Sequence, residues 1–417
     1  MIERLRTSLV RVLRLSEKYT RTDMVYLTKG GFWLLVGHAI QAVSGLVLAI
    51  AFANLIPKEV YGTYQFVMSA AVIVSAFTLT GMDAAVSRAV ARGSEGALRA
   101  GFHAQLRWSV LIALAGAVLA AYYHLNGNDV LALSFLIVGA CSPLLEGFGL
   151  ARSYLVGKKL FRETALQGLA RRILPVMLLI VTVFVTHDPV LIVLMYFVSH
   201  TVSAGFLYLL VVRHYRLPKT EETEMVAYSK HLSVLRTLSD ITGQADKVLV
   251  WAFLGAAPLA AYALAQLPVT HLQGIFKLFR SLVAPKFATA SFTDLKETLP
   301  RKVRIFFLIT VAIAAGYILA APFLFALIFP SYPEAVPLSQ AFALALLGAS
   351  GIFYSQALTA HEKKRELYTI SISQNILRIA LLVVLLPLYG IWGAVAAFLF
   401  HHLYINVAIR ILFRYAK

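Results

Sequence analysis

Asp240, Asp246 and Lys247 stand in the stretch RTLSDITGQADKVLVWAFLGAAPLAAYALAQ, which is almost continuously apolar after Leu249. A charge at the centre of a membrane helix costs about 2.5–3.5 kcal/mol on insertion scales, so three together cost on the order of 8–10 kcal/mol if they face lipid. Charges kept in such a place face a protein interior or a water-filled cavity, where they bind ions, relay protons or hold a charged cargo. On a helix, Arg236, Asp240, Gly243 and Lys247 fall on one stripe with Gln244 at its flank, while Asp246 leads a second edge with Ser239 and Thr242. Two readings of the stripe stay open: it lines a cavity, or pairs such as Arg236 with Asp240 neutralise one another between packed helices. The next apolar run repeats the pattern, because Gln266, Thr270, Gln273, Lys277 and Arg280 follow one face with His271 beside them. Lysine and arginine supply charge-assisted donors to phosphate oxygens, and the deeper amides suit sugar hydroxyls. Lys277 and Arg280 equally suit anchors that snorkel to the headgroups.

Other runs carry polar groups at comparable depth. His38 and Gln41 share the first run with Ser44, and the second ends in Asp83, Arg88 and Arg92. Arg88 either binds a headgroup phosphate at an inner gate or caps a helix end. Arg171 and Arg172 open the fifth run, and Arg378 sits a few turns into the eleventh. His200, His401 and His402 lie mid-run, where histidine either packs or relays protons, and Glu146 shares that status. A buried carboxylate can exchange a partner for a proton or a sodium ion, which makes Asp240 and Asp246, with His271 and His401, the candidates for coupling to a cation gradient. No Cys/His set has metal-ligand spacing, so no metal or other cofactor is expected. Nor is there a phosphate-cradling Gly-Lys-Ser/Thr loop, which argues against ATP hydrolysis. Nothing reads as an enzyme.

The elements that position these residues follow from composition. Hydrophobic residues make up 59% of the 417 and charged residues 14%, and the mean hydropathy is +0.77, whereas an ordinary globular domain has about a quarter of its residues charged. The chain is expected to be an all-α, multi-pass membrane protein. Runs of roughly 20 apolar residues fall near 31–56, 62–82, 104–123, 130–150, 168–186, 190–212, 232–254, 258–282, 303–329, 337–358, 366–386 and 390–412, twelve in all. Assigning the 38 Lys and Arg residues to alternate sides leaves only Lys58 opposite the N-terminus. Under the positive-inside rule both termini then face the cytoplasm. The net charge of +18 thus reads as a topology signal and an attraction to anionic lipids, not as nucleic-acid binding. Residues 1–29 carry six arginines and lysines before Lys29 with leucines at helical spacing, which reads either as a basic amphipathic cytoplasmic segment in the headgroup layer or as a solvated basic tail, and not as a cleaved signal peptide. The lone cysteine, Cys141, is expected to pack in the core.

An internal repeat is also visible. LIPKEVYGTYQF, joining runs one and two, aligns with FLGAAPLAAYAL, joining runs seven and eight, at an offset of 198 residues, so that Leu55 meets Phe253, Gly62 meets Ala260 and Tyr64 meets Tyr262. Two parallel six-helix halves follow, 30–212 and 232–417, joined by a basic linker at 213–231. Here the chain resembles a known family. GGFWLLVGHAIQAVSGLVLAIAFANLIPKEVYGTYQF, then GMDAAVSRAVA and later ADKVLVWAFLGAAPLAAYALA, is similar to the polysaccharide transporter (Wzx-type flippase) branch of the multidrug/oligosaccharidyl-lipid/polysaccharide exporter superfamily. Ala260 departs from the pattern, which usually has glycine there, and Arg88 matches an arginine common after the second-run glycine.

The resemblance implies a MATE/MOP-like, two-lobed carrier in the bacterial inner membrane. Its cargo would be an undecaprenyl-pyrophosphate-linked glycan, flipped by alternating access with proton or sodium coupling and with polysaccharide polymerase machinery as a further partner. The cargo cavity would then draw on Arg88, Arg172, Gln244, Lys247, Gln266, Gln273, Lys277, Arg280 and Arg378, with His38 and Gln41. The alternatives are a multidrug exporter of the same superfamily, a membrane-embedded glycan polymerase or ligase, and a passive scramblase. Cationic candidate faces weigh against the first of these, and the short loops opposite the N-terminus weigh against the second.

Overall fold

The computed structural model describes residues 24–218 and 223–416, without the side chains of 24–36, 38, 235, 277–282 and 285. Most of the basic segment predicted over 1–29 therefore lies outside the described residues. All regular secondary structure among the described residues is helical. The first half comprises α1 (Met24–Leu55), α2 (Lys58–Ser75), α3 (Met82–Ala91), α4 (Ala97–Trp108), α5 (Val110–Leu125), α6 (Asp129–Gly157), α7 (Phe161–Val185) and α8 (Pro189–His214). The second comprises α9 (Thr223–Leu254), α10 (Ala256–Thr289), α11 (Phe292–Ile328), α12 (Ala335–Ala343), a 3-10 turn (Leu344–Gly351), α13 (Ile352–Ala360), α14 (Lys364–Tyr389) and α15 (Ile391–Tyr415).

Eight of these helices or joined helix pairs are long and apolar enough to cross a bilayer. They bear large apolar side chains on their outer faces, Phe184, Leu319 and Phe323 among them. The predicted runs each fall within helices, but three of them break: at Ser109 between α4 and α5, at 76–81 between α2 and α3, and at the 3-10 turn. The break at 76–81 is held from the other half, since the Gly81 N–H donates to Ser233 Oγ at 2.9 Å and Thr237 Oγ1 donates to the Ala76 carbonyl at 2.9 Å. The α9 helix begins inside the predicted linker, because Met225, Ser229 and Ser233 are buried at helical spacing. Caps fix other starts: Asn128 accepts from Leu131 N ahead of α6, and Asp188 accepts from Val190 N ahead of α8, with Pro189 at the first helical position.

Within each half the helix of the first predicted run packs along that of the fifth, α1 with α7 and α9 with α14, and the helix of the fifth run packs along that of the sixth, α7 with α8 and α14 with α15. Between the halves, α2 lies on α9 and α10, and α3 lies on α9. Lipid tails are as apolar as leucine, so helices in a bilayer associate through close packing and polar contacts. Gly62 permits the closest approach: a Cβ there would sit 1.8 Å from the Ala256 carbonyl oxygen. Nearby, Phe66 stacks on Trp251 with ring centroids 4.0 Å apart.

Candidate functional site

Charged groups gather in two places inside the helical bundle. In the first half a cavity of about 250 Å³ is lined by Gln41 of α1, Arg152 of α6, Arg171 and Arg172 of α7, and Tyr196 and His200 of α8, among others. Arg172 is anchored by Nε, which donates to Ser44 Oγ at 2.7 Å. Its terminal Nη2 lies against α1 where Gly45 has no side chain, since a Cβ at Gly45 would meet it at 3.2 Å. Neither Arg152 nor Arg172 forms an ion pair with a described residue. Two guanidinium groups without carboxylate partners beside a polar cavity attract anions, and phosphate in particular, because the planar fork matches its oxygens.

Arg171 borders this cavity and also a second one of about 260 Å³, which Thr80, Asp83, Gln105 and Glu146 line. Glu146 is exposed to that space and lies within electrostatic reach of Arg171, Asp83 and Asp240. Arg236 closes the cluster from α9: its Nη1 donates to Asp83 Oδ1 at 2.6 Å and to the Thr80 carbonyl at 2.9 Å. The pairing of Arg236 with Asp240 that the sequence suggests is thus replaced by a pairing with Asp83. The break before α3 brings Asp83 to the α9 face, while Asp240 stays within electrostatic reach of both.

The second place lies in the second half, where an arginine and an aspartate compensate one another. Asp246 is 1% exposed, and its Oδ2 accepts from Arg378 Nη2 at 2.9 Å, Tyr262 OH at 2.9 Å and Gln266 Nε2 at 3.3 Å, while Oδ1 accepts from the Lys247 N–H at 2.9 Å. Losing a water shell costs an ion several kcal/mol, and only a partner with good geometry and filled lone pairs offsets it. Asp246 has both. One turn and more away, Gln273 Nε2 contacts His402 Nε2 at 3.2 Å, and His402 Nδ1 lies 2.9 Å from the Phe398 carbonyl. The pair of contacts puts the proton on Nδ1 and leaves Nε2 to accept from the amide. His401 Nδ1 faces the Gln374 carbonyl at 3.1 Å. Asn375 Nδ2 donates to Ser239 Oγ at 3.1 Å, so Ser239 and Asp246 do share one edge of α9, and that edge faces α14.

The residues singled out from the sequence therefore separate. Asp246, Gln266 and Arg378 come together, Gln273 joins His402, and Gln41 and Arg172 share the basic cavity. His271 reaches across from α10 to lie near Gly45 and Arg172, and its Nε2 is buried without a hydrogen bond to a described residue. Lys247 and Gln244 are half-buried on α9, and the Lys247 ammonium forms no ion pair with a described residue. Arg88 lies elsewhere, exposed, with its guanidinium 4.5 Å from the centre of the Tyr228 ring. The side chains of His38, Lys277 and Arg280 lie outside the described residues, so the chamber expected to join Lys247 with Lys277 is described only on its Lys247 side. Sequence reasoning missed Arg152, Tyr196 and the hydroxyl of Tyr262 as site groups. Only Tyr262 left a signal, its alignment with Tyr64.

Residues 27–290 match a family model described as "Polysaccharide biosynthesis protein". No curated protein matches the chain. Among solved structures, an inward-facing multidrug resistance MATE family transporter of the MOP superfamily aligns with a TM-score of 0.67 at 14% identity, over 92% of this chain and 99% of that one. The lipid II flippase MurJ in an inward closed conformation gives 0.66 at 13%, over 91% and 87%. A MOP superfamily transporter from Pyrococcus furiosus, whose binding pocket is described as of reverse polarity, gives 0.62 at 13%, over 93% and 95%. At these identities the likeness establishes a MATE-like fold, in accord with the expectation from the sequence.

Proposed function

The chain belongs to the polysaccharide biosynthesis protein family, and from that premise we propose that this multi-pass membrane protein is a flippase for an undecaprenyl-pyrophosphate-linked oligosaccharide. The cargo is the repeat unit of an O-antigen, capsule or exopolysaccharide, and it moves from the inner to the outer leaflet of a bacterial cytoplasmic membrane. The observation that carries this reading is the cavity with Arg152, Arg171 and Arg172 on its wall. Within a bilayer, unpaired guanidinium groups are retained where an anion passes. A pyrophosphate offers such an anion, and Gln41 and Gln167 beside it offer donors and acceptors to sugar hydroxyls. The lipid II flippase shares the fold, which supports a lipid-linked cargo. A carrier of cationic drugs needs a cavity of net negative charge, whereas the first-half cavity is lined by three arginines and no carboxylate, and the buried Asp246 is filled by Arg378.

The halves 30–212 and 232–417 rock about the α2–α10 contact, with both termini in the cytoplasm, anionic lipids around the basic side and polysaccharide polymerase machinery receiving the product. Of the two aspartates on α9, Asp240 is the one left to couple transport to a proton or sodium gradient, because it makes no ion pair with a described residue. The test is flipping of an undecaprenyl-pyrophosphate-linked glycan in vesicles holding only this protein, read by access of an added lectin. Movement above that in protein-free vesicles, slowed when an imposed ion gradient is dissipated and made gradient-independent by Asp240→Asn, is the expected result. No movement above the protein-free control overturns the reading, and gradient-insensitive movement by the unaltered chain reduces it to a scramblase.

A further inference from the structure

The two halves compare their own polar sites. α2 and α10 begin 198 residues apart, and the same offset lays Ser44-Gly45 on Thr242-Gly243, Leu48 on Asp246 and Tyr64 on Tyr262. In each half an arginine reaches the first helix, from α7 to α1 and from α14 to α9: Arg172 to Ser44 at 2.7 Å, Arg378 to Asp246 at 2.9 Å. In the second half a negative oxygen sits between that arginine and the tyrosine hydroxyl. The first half has an arginine and a tyrosine at the corresponding places, and a leucine at the position of the anion.

Geometry supports the equivalence. Gln41, Ser44, Gly45 and Leu48 form one stripe of α1, at i, i+3, i+4 and i+7, and Arg172 lies on Ser44 and Gly45 of that stripe. Tyr64 is buried within electrostatic reach of Arg172, and its ring centroid is 5.9 Å from that of the cavity residue Tyr196. Neither the Tyr64 hydroxyl nor the terminal nitrogens of Arg172 bond to a described acceptor.

We propose that a pyrophosphate oxygen of the cargo takes, in the first half, the place that the Asp246 carboxylate takes in the second, accepting from Arg172 and Tyr64 beside Leu48. This rests on the flippase reading above and names the groups that hold its cargo. The consequence is a division of labour: in the second half Arg378 is compensated by a tethered anion, while in the first half Arg172 is compensated only by cargo. Phosphate oxygens match the donor pair as a carboxylate does, since both offer oxygens with in-plane lone pairs to a guanidinium.

The test uses the full chain in detergent micelles, titrated with a short polyprenyl pyrophosphate and separately with inorganic pyrophosphate. Leu48→Asp supplies the first half with an anion of its own, Leu48→Asn controls for polarity, and Tyr64→Phe removes one hydroxyl. Leu48→Asp and Tyr64→Phe are each expected to weaken binding of both probes by about tenfold, the worth of one charge-assisted hydrogen bond, with Leu48→Asn within about threefold of the unaltered chain. Binding within twofold of the unaltered chain in either Leu48→Asp or Tyr64→Phe overturns the proposal, as does a loss confined to the lipid probe. If Leu48→Asp does not fold, Tyr64→Phe decides alone. Failure of the unaltered chain to bind either probe is a different result, which overturns the flippase reading itself.

Discussion

Removing the charge of Asp246 leaves the Arg378 guanidinium buried without a counterion, and its Nε already lacks a partner among the described residues. Breaking one member of a buried pair costs about 3–5 kcal/mol, whereas replacing both with apolar residues of similar volume is often neutral. Asp246→Asn is therefore expected to lower the unfolding midpoint in detergent strongly, and Asp246→Leu with Arg378→Met is expected to recover most of it. Equal midpoints for Asp246→Asn and the unaltered chain would show that the pair is not structural. Arg172 has the same chemistry and the opposite circumstances, because its one described bond is to a neutral hydroxyl.

At the scale of elements, the two halves meet at both ends of the bundle, and one of these contacts lies on the side that the charge pattern assigns to the outside. Lys58, the only Lys or Arg on that side, pairs with Glu334 at 2.5 Å and lies 4.8 Å from the centre of the Tyr332 ring, while Asn54 Nδ2 donates to the Ile328 carbonyl at 2.9 Å. With side chains 34% and 45% exposed, such a pair adds at most about 1 kcal/mol to stability. Its expected role is to bias the lobes toward closure. Lys58→Met should leave the unfolding midpoint within a few degrees yet raise the rate at which a cysteine placed at Ala256 reacts with a water-soluble maleimide added outside. An unchanged labelling rate would assign Lys58 to topology alone.

The same scale explains what the sequence could and could not disclose. Apolar runs locate helices, because every backbone group in lipid must be satisfied within its own segment, and nine of the twelve predicted runs each lie in one helix while three are broken between helices. Helical spacing also marked the edge of α9 that holds Ser239 and Asp246. The identity of the partners was not legible: Arg378 is 132 residues from Asp246, and which of several cations meets it depends on how α14 is rotated against α9. For the same reason Arg236 could be matched with Asp240, four residues along its own helix, when the folded chain presents Asp83 from across the interface. Arg152 gave no warning, since an arginine near the end of an apolar run looks like a topology anchor until α6 is packed beside α8 and its side chain lines a cavity.

For the whole molecule, charge is distributed unequally at two levels. The span assignment gathers 37 of the 38 Lys and Arg residues on one side of the membrane, the kind of bias that attracts anionic headgroups. Inside the bundle, the second half balances its arginine with Asp246 while the first half keeps Arg152 and Arg172 without carboxylates among the described residues. The central claim is that these arginines receive the pyrophosphate. The most direct measurement is glycan flipping in vesicles by the Arg152→Gln/Arg172→Gln chain beside the unaltered one. A fall of at least about tenfold is expected, from the loss of two charge-assisted contacts, with the unfolding midpoint unchanged because neither arginine supports an ion pair among the described residues. Equal rates in the two chains would contradict it.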